Sequence, residues 1–84
     1  MPFKIEFTKT AVKDVPALSP KLTQKLKEIL IKQISEEPYL GKKLLGDLTG
    51  FFSVRLSYKD RIVYSIDEKQ KIIYIHRART HYGE

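Results

Sequence analysis

The chain has 84 residues, enough for one domain (1–84) and one small core, because a chain this short buries little more than about 60% of its unfolded surface. The absence of cysteine excludes disulfides and thiolate-held metals as staples, and 42% hydrophobic with 31% charged residues excludes a disordered chain. Sixteen Lys and Arg against ten Asp and Glu leave a formal charge of +6, which fits an anionic partner such as nucleic acid or an acidic protein surface, and equally fits plain solubility.

Phe3, Ile5 and Phe7 alternate with Lys4, Glu6 and Thr8, which predicts a half-buried strand. Thr8 is placed to cap a helix over 9–15 with Ala11, Val12 and Val15 on one stripe, and Pro16 ends or bends it. Leu18 is expected to anchor the connection. Ser19-Pro20 is a helix start, and Leu22, Leu26, Ile29, Leu30 and Ile34 recur at helical spacing until Pro38 stops the run. The segment EEPYLGKKLLGDLTG, with glycines at 41, 46 and 50, reads as a packed crossover to the sheet edge, or alternatively as an exposed apolar patch for a partner.

Beyond Gly50 three strands are predicted. Phe52, Val54, Leu56 and Tyr58 share one face of the first, Ile62, Tyr64 and Ile66 one face of the second, and the third, over 71–77, is apolar on both faces like a central strand. Turns at Lys59-Asp60 and over 67–70 make neighbours antiparallel. The expected fold is therefore α+β: a strand, two helices and a three-strand meander, the helical hairpin packed on one face of a twisted, mainly antiparallel sheet. No signal peptide, membrane helix or repeat is visible, so a cytoplasmic protein is expected.

On the sheet face away from the helices, simple alternation aligns Ser53, Arg55 and Arg61, with Arg77, Arg79 and His81 joining them if the last strand keeps phase. Such a face suits phosphates, since arginine offers charge and a planar pair of donors. Arg61 reads equally as a phosphate clamp or as a solvated strand end paired with Asp60. His81 is a proton donor or acceptor near neutral pH, or a frayed terminal histidine, with Tyr82 beside it. His76 is expected on the face opposite His81, satisfied by a backbone carbonyl or solvent. Two histidines five residues apart make no zinc set, and the glycines make no phosphate loop, so neither metal nor other cofactor is expected.

Over nearly its whole length the chain resembles the RelE/ParE superfamily of toxins from type II toxin-antitoxin modules. The resemblance rests on KIEFTKTAVKDV, PYLGKKLLGDLTGFFSVRLS, YKDRIVYSID and IIYIHRARTHY. RIVY and the late His-Tyr are similar to the YoeB/RelE-like mRNA interferase branch. That resemblance implies a RelE-like fold and a ribosome-dependent endoribonuclease cutting mRNA in the A site by metal-independent 2'-hydroxyl attack. It implies Arg61 on the scissile phosphate, His81 as general acid or base, and Tyr82 positioning the substrate. Arg55, Arg77, Arg79, Lys42 and Lys43 would bind RNA. The implied partners are a cognate antitoxin, the 70S ribosome with its mRNA, and operator DNA for the toxin-antitoxin complex, with no membrane. Lys42 or Lys43 stands where YoeB-like members carry a basic-acting glutamate, and Ser53 and Arg55 stand where RelE-like members carry lysines, so no general base is assigned. The alternatives are a ParE-like inhibitor of DNA gyrase acting by protein binding, or an RNA-binding member whose site has decayed.

Overall fold

Strand β1 (Lys4–Phe7) ends at Thr8, whose extended backbone lets its hydroxyl oxygen accept from Ala11 N–H and so cap α1 (Lys9–Asp14). The same hydroxyl donates to the Ile75 carbonyl at 3.1 Å, fixing the start of the helix to the sheet. The computed structural model describes residues 2–78, the side chain of Leu48 excepted. Pro16 sits in a 3-10 turn over Val15–Ala17, and Leu18 is buried as expected. Ser19 caps α2 (Pro20–Ile29) by accepting from Leu22 N–H, with proline in the first turn where its missing amide costs nothing. At Leu30 the helix widens into one π-helical turn, Leu30–Ile34, in which Ser35 N–H reaches back to the Leu30 carbonyl. Leu26, Ile29, Leu30 and Ile34 all lie on the buried side.

The sheet has five strands in the order β1-β5-β4-β3-β2, where β2 is Lys42–Lys43, β3 Phe51–Arg55, β4 Arg61–Asp67 and β5 Ile72–Arg77. Only β1 and β5 run parallel, and every other neighbouring pair is antiparallel. The helices cover one face, where Phe52, Leu56, Ile62, Tyr64, Ile73 and Ile75 meet Leu26, Ile34 and Ala11. β5 is an interior strand flanked by β1 and β4, which accounts for its apolar run, while β4 is the middle of the five.

Two expectations need correction. The segment after Pro38 is more than a crossover, since Lys42 and Lys43 pair with Ser53 and Phe52 and extend the sheet by a fifth strand. Pro38 is buried, yet Tyr39, Leu40 and Leu45 are exposed, Leu45 to 84%, so the loop is only partly packed. Tyr58 is 90% exposed because β3 ends at Arg55 and the chain bends through the hairpin, which breaks the alternation that would have turned Tyr58 inward. Gly50, at φ 97, makes the left-handed step into β3 that a side chain would resist.

Candidate functional site

The open face of the sheet gathers basic side chains through register. Ser53 on β3 opposes Lys42 on one side and Val63 on the other, and two residues on Arg55 opposes Arg61. Lys42, Leu44, Ser53 and Arg61 line one shallow cleft of about 210 Å³. Arg55 is exposed and Arg61 half-buried. Like charges directly opposite on a sheet cost roughly 0.2–1 kcal/mol. Nothing in the described structure offsets that cost: Lys42, Arg55 and Arg61 enter none of its ion pairs. Asp60 is occupied within the hairpin, its carboxylate accepting from the Ser57 hydroxyl at 3.2 Å and its N–H donating to the same oxygen, so the expected alternative of an Asp60–Arg61 pair is not realised.

Two basic groups in a cleft with a serine, and a third opposite one of them, can hold an oxyanion, arginine through paired N–H donors and lysine as a point charge. Lys43, one residue on, belongs elsewhere: it lines a second cleft of about 350 Å³ with Tyr39, Leu45, Thr49 and Phe51. The structure thus separates the two lysines that the sequence left equivalent.

Arg77 does not join the open face. Ile73 and Ile75 take the core side of β5, and Arg77 follows them, donating from Nε to Asp14 Oδ2 on α1 at 2.9 Å. The same carboxylate oxygen accepts from Ala78 N–H at 3.1 Å, so Asp14, itself 8% exposed, holds both the arginine and the end of the strand. Arg79, His81 and Tyr82 lie outside the described residues. Among the described residues no group of three or more His, Cys, Asp or Glu could hold a metal ion, and no helix is long and apolar enough to cross a membrane.

His76 faces the open side. Its Nε2 lies 2.7 Å from the Ser65 hydroxyl and its ring stacks on Phe51 at 4.7 Å, which replaces the backbone carbonyl or solvent expected for it. The register jumps at this point, Val63 opposing Arg77 and Tyr64 opposing Ile75, so His76 is the extra residue of a bulge. Burial pushes its imidazole below the ordinary range, leaving it neutral at pH 7. Sequence reading missed this cluster because a strand apolar on both faces gives no phase and a bulge has no signature in it, so alternation with Arg77 and His81 outward turned His76 inward, whereas the structure sets it with Phe51 and Ser65 on the open face.

A hairpin of helices on one face of a five-stranded mixed sheet is the α+β architecture of the RelE/ParE/YoeB-type toxins. Residues 5–83 match the family described as ParE-like toxin of type II bacterial toxin-antitoxin systems, and the chain belongs to that family. It is 35% identical over 79 residues to Toxin RelG of Mycobacterium tuberculosis, covering 93% of this chain and 90% of that protein. Among solved structures, a chain of the toxin-antitoxin complex RelBE2 from Mycobacterium tuberculosis superposes with a TM-score of 0.86 at 32% identity, covering 96% of this chain and all 100% of that one. The YoeB dimer from Staphylococcus aureus gives 0.81 at 30% identity over 98% of this chain and 100% of that one.

Proposed function

We propose that this toxin is an endoribonuclease that cuts mRNA in the ribosomal A site without a metal ion, the basic cleft of the open face receiving the scissile phosphate. The observation that carries the reading is that Lys42 and Arg61 share a cleft with Ser53 while Arg55 faces Arg61 across the strands, with no carboxylate paired to them among the described residues, a charge arrangement that costs stability unless an anion fills it. The 2'-hydroxyl of the preceding ribose attacks phosphorus, the bond from phosphorus to the 5'-oxygen breaks, and the products are a 2',3'-cyclic phosphate and a 5'-hydroxyl. Negative charge grows on the non-bridging oxygens during attack, and Arg61 with Lys42 stabilises it there. One proton must leave the 2'-hydroxyl and one must reach the 5'-oxygen. Resemblance to the YoeB-like branch gives His81 one of these transfers and gives Tyr82 and Arg79 the substrate's placement. The ribosome supplies orientation, which lets a site with few acid-base groups work.

Relatives solved as complexes, RelBE2 and the Staphylococcus aureus YoeB-YefM pair, support a cognate antitoxin as partner. Its acidic residues would neutralise the open face, and the complex would bind operator DNA while the toxin stays in the cytoplasm. In a reconstituted translation reaction with message ends mapped by primer extension, the protein is expected to cut ribosome-bound message. Arg61→Ala should cut at least about 100-fold more slowly while remaining folded. Intact message under active translation would overturn the reading, and inhibition of gyrase supercoiling would then favour the alternative target.

A further inference from the structure

β2 is two residues long, too short to hold its own register on a sheet edge. Yet it carries Lys42, and a slip of one residue would exchange Lys42 for Lys43 at the cleft. The segment is bracketed on both sides. After it, Leu44 N–H donates to the Phe51 carbonyl at 3.0 Å. Before it, the side chain of Tyr64, wholly buried on β4, reaches across: its hydroxyl donates to the Pro38 carbonyl at 2.7 Å and accepts from Gly41 N–H at 3.1 Å. One hydroxyl thereby satisfies both ends of the turn Pro38–Leu40 that delivers the chain into β2. Burial raises the Tyr64 phenol pKa above its ordinary value, so the group keeps the proton it donates. The ring is fixed in turn by stacking on Phe52 at 5.6 Å.

Gly41 completes the fit for a reason of space and not of backbone angle, since its φ of −71 suits any residue. A Cβ at position 41 would lie 2.5 Å from the Tyr64 hydroxyl oxygen and 3.0 Å from the Ser53 carbonyl oxygen. Glycine therefore allows the turn to close onto Tyr64 and onto the strand that β2 pairs with.

We propose that Tyr64 is a positioning residue, its hydroxyl the tether that sets the register of β2 and so holds Lys42 at the cleft beside Ser53 and Arg61. The functional half of this inference rests on the cleft being the RNA phosphate site, as proposed above. Tyr64 touches no substrate, and it works through Lys42 alone.

The test combines amide exchange with a double-mutant cycle on the full chain. In Tyr64→Phe, exchange at Gly41, Lys42 and Lys43 should quicken by about tenfold, as expected when one hydrogen-bonding group is lost locally, with the β4 and β5 core amides less affected. Binding of a fluorescent short single-stranded RNA should weaken by about tenfold in Lys42→Ala and by roughly threefold in Tyr64→Phe. In the double variant it should weaken no further than in Lys42→Ala, because a tether has nothing left to position. Gly41→Ala, which crowds the same hydroxyl from the other side, should reproduce the Tyr64→Phe pattern and serves if Tyr64→Phe does not fold. Unchanged exchange at 41–43 would overturn the tether. Multiplicative losses in the double variant would overturn its action through Lys42. If Lys42→Ala binds RNA normally while Arg61→Ala does not, this inference fails and the proposed function stands. If neither variant alters binding, the proposed function fails with it, and the exchange result alone reports on the tether.

Discussion

On the helix side of the sheet Arg77 is bound to a nearly buried aspartate, Asp14, which also takes the Ala78 amide, whereas on the open side Arg55 and Arg61 face one another with Lys42 near and no carboxylate among their described contacts. Both regions are built from the same residue types on neighbouring strands. What separates them is partner supply: α1 brings Asp14 to one face, and on the other Asp60 is turned into the hairpin toward Ser57. A charge that is neutralised at once serves the fold. Charges left facing each other cost the fold something and are available to a ligand. The contrast separates an arginine held within the fold from arginines left open to a ligand, without any appeal to which residues recur among relatives.

Three changes bear on the contrast, in falling order of effect. Asp14→Ala should remove about 2–3 kcal/mol of stability, less than for a fully buried pair because the Arg77 side chain is 39% exposed, and chemical denaturation would show it as a lowered midpoint. RNA binding by the folded fraction should be nearly unchanged. The second concerns His76 on the open face. Its folded-state pKa lies below the unfolded value, so below about pH 6.5 the unfolded chain binds more protons and stability is lost as the pH falls. Thermal melts of His76→Gln should lose part of that acid dependence, and an unaltered slope would remove His76 as its source. The third is the smallest. Arg55→Ser relieves the like-charge pair and should raise stability by a few tenths of a kcal/mol, at most about 1, while weakening RNA binding. A loss of stability would mean that the pair is not repulsive.

Much of this was legible before the structure. Thr8 and Ser19-Pro20 announce their helices because a capping oxygen and an amide-free proline answer a local need, and Phe52, Ile62 and Tyr64 announce their face because a strand alternates. Arg55 and Arg61 were placed correctly by the same alternation. β2 was not, because two residues show no period and their pairing with Ser53 and Phe52 is decided by the returning chain. Arg77 escaped because a strand apolar on both faces hides its phase, and the bulge at His76 shifts the register beside it. Tyr64 counted as a core residue on its strand's inner face, and it is one. Its hydroxyl's grip on Pro38 and Gly41 is a tertiary contact across 26 and 23 residues, beyond any local pattern.

The most direct measurement is a titration of the labelled protein with a short RNA carrying a 2'-deoxy sugar before the scissile phosphate, followed through backbone amide shifts and arginine Nε–H signals. Saturable shifts at Lys42, Ser53, Arg55 and Arg61, with the Arg77 Nε–H still held by Asp14 and unmoved, are the predicted result. Shifts centred on Arg77 and α1, or none on the open face at saturating RNA, would contradict the assignment of the basic cleft as the phosphate site.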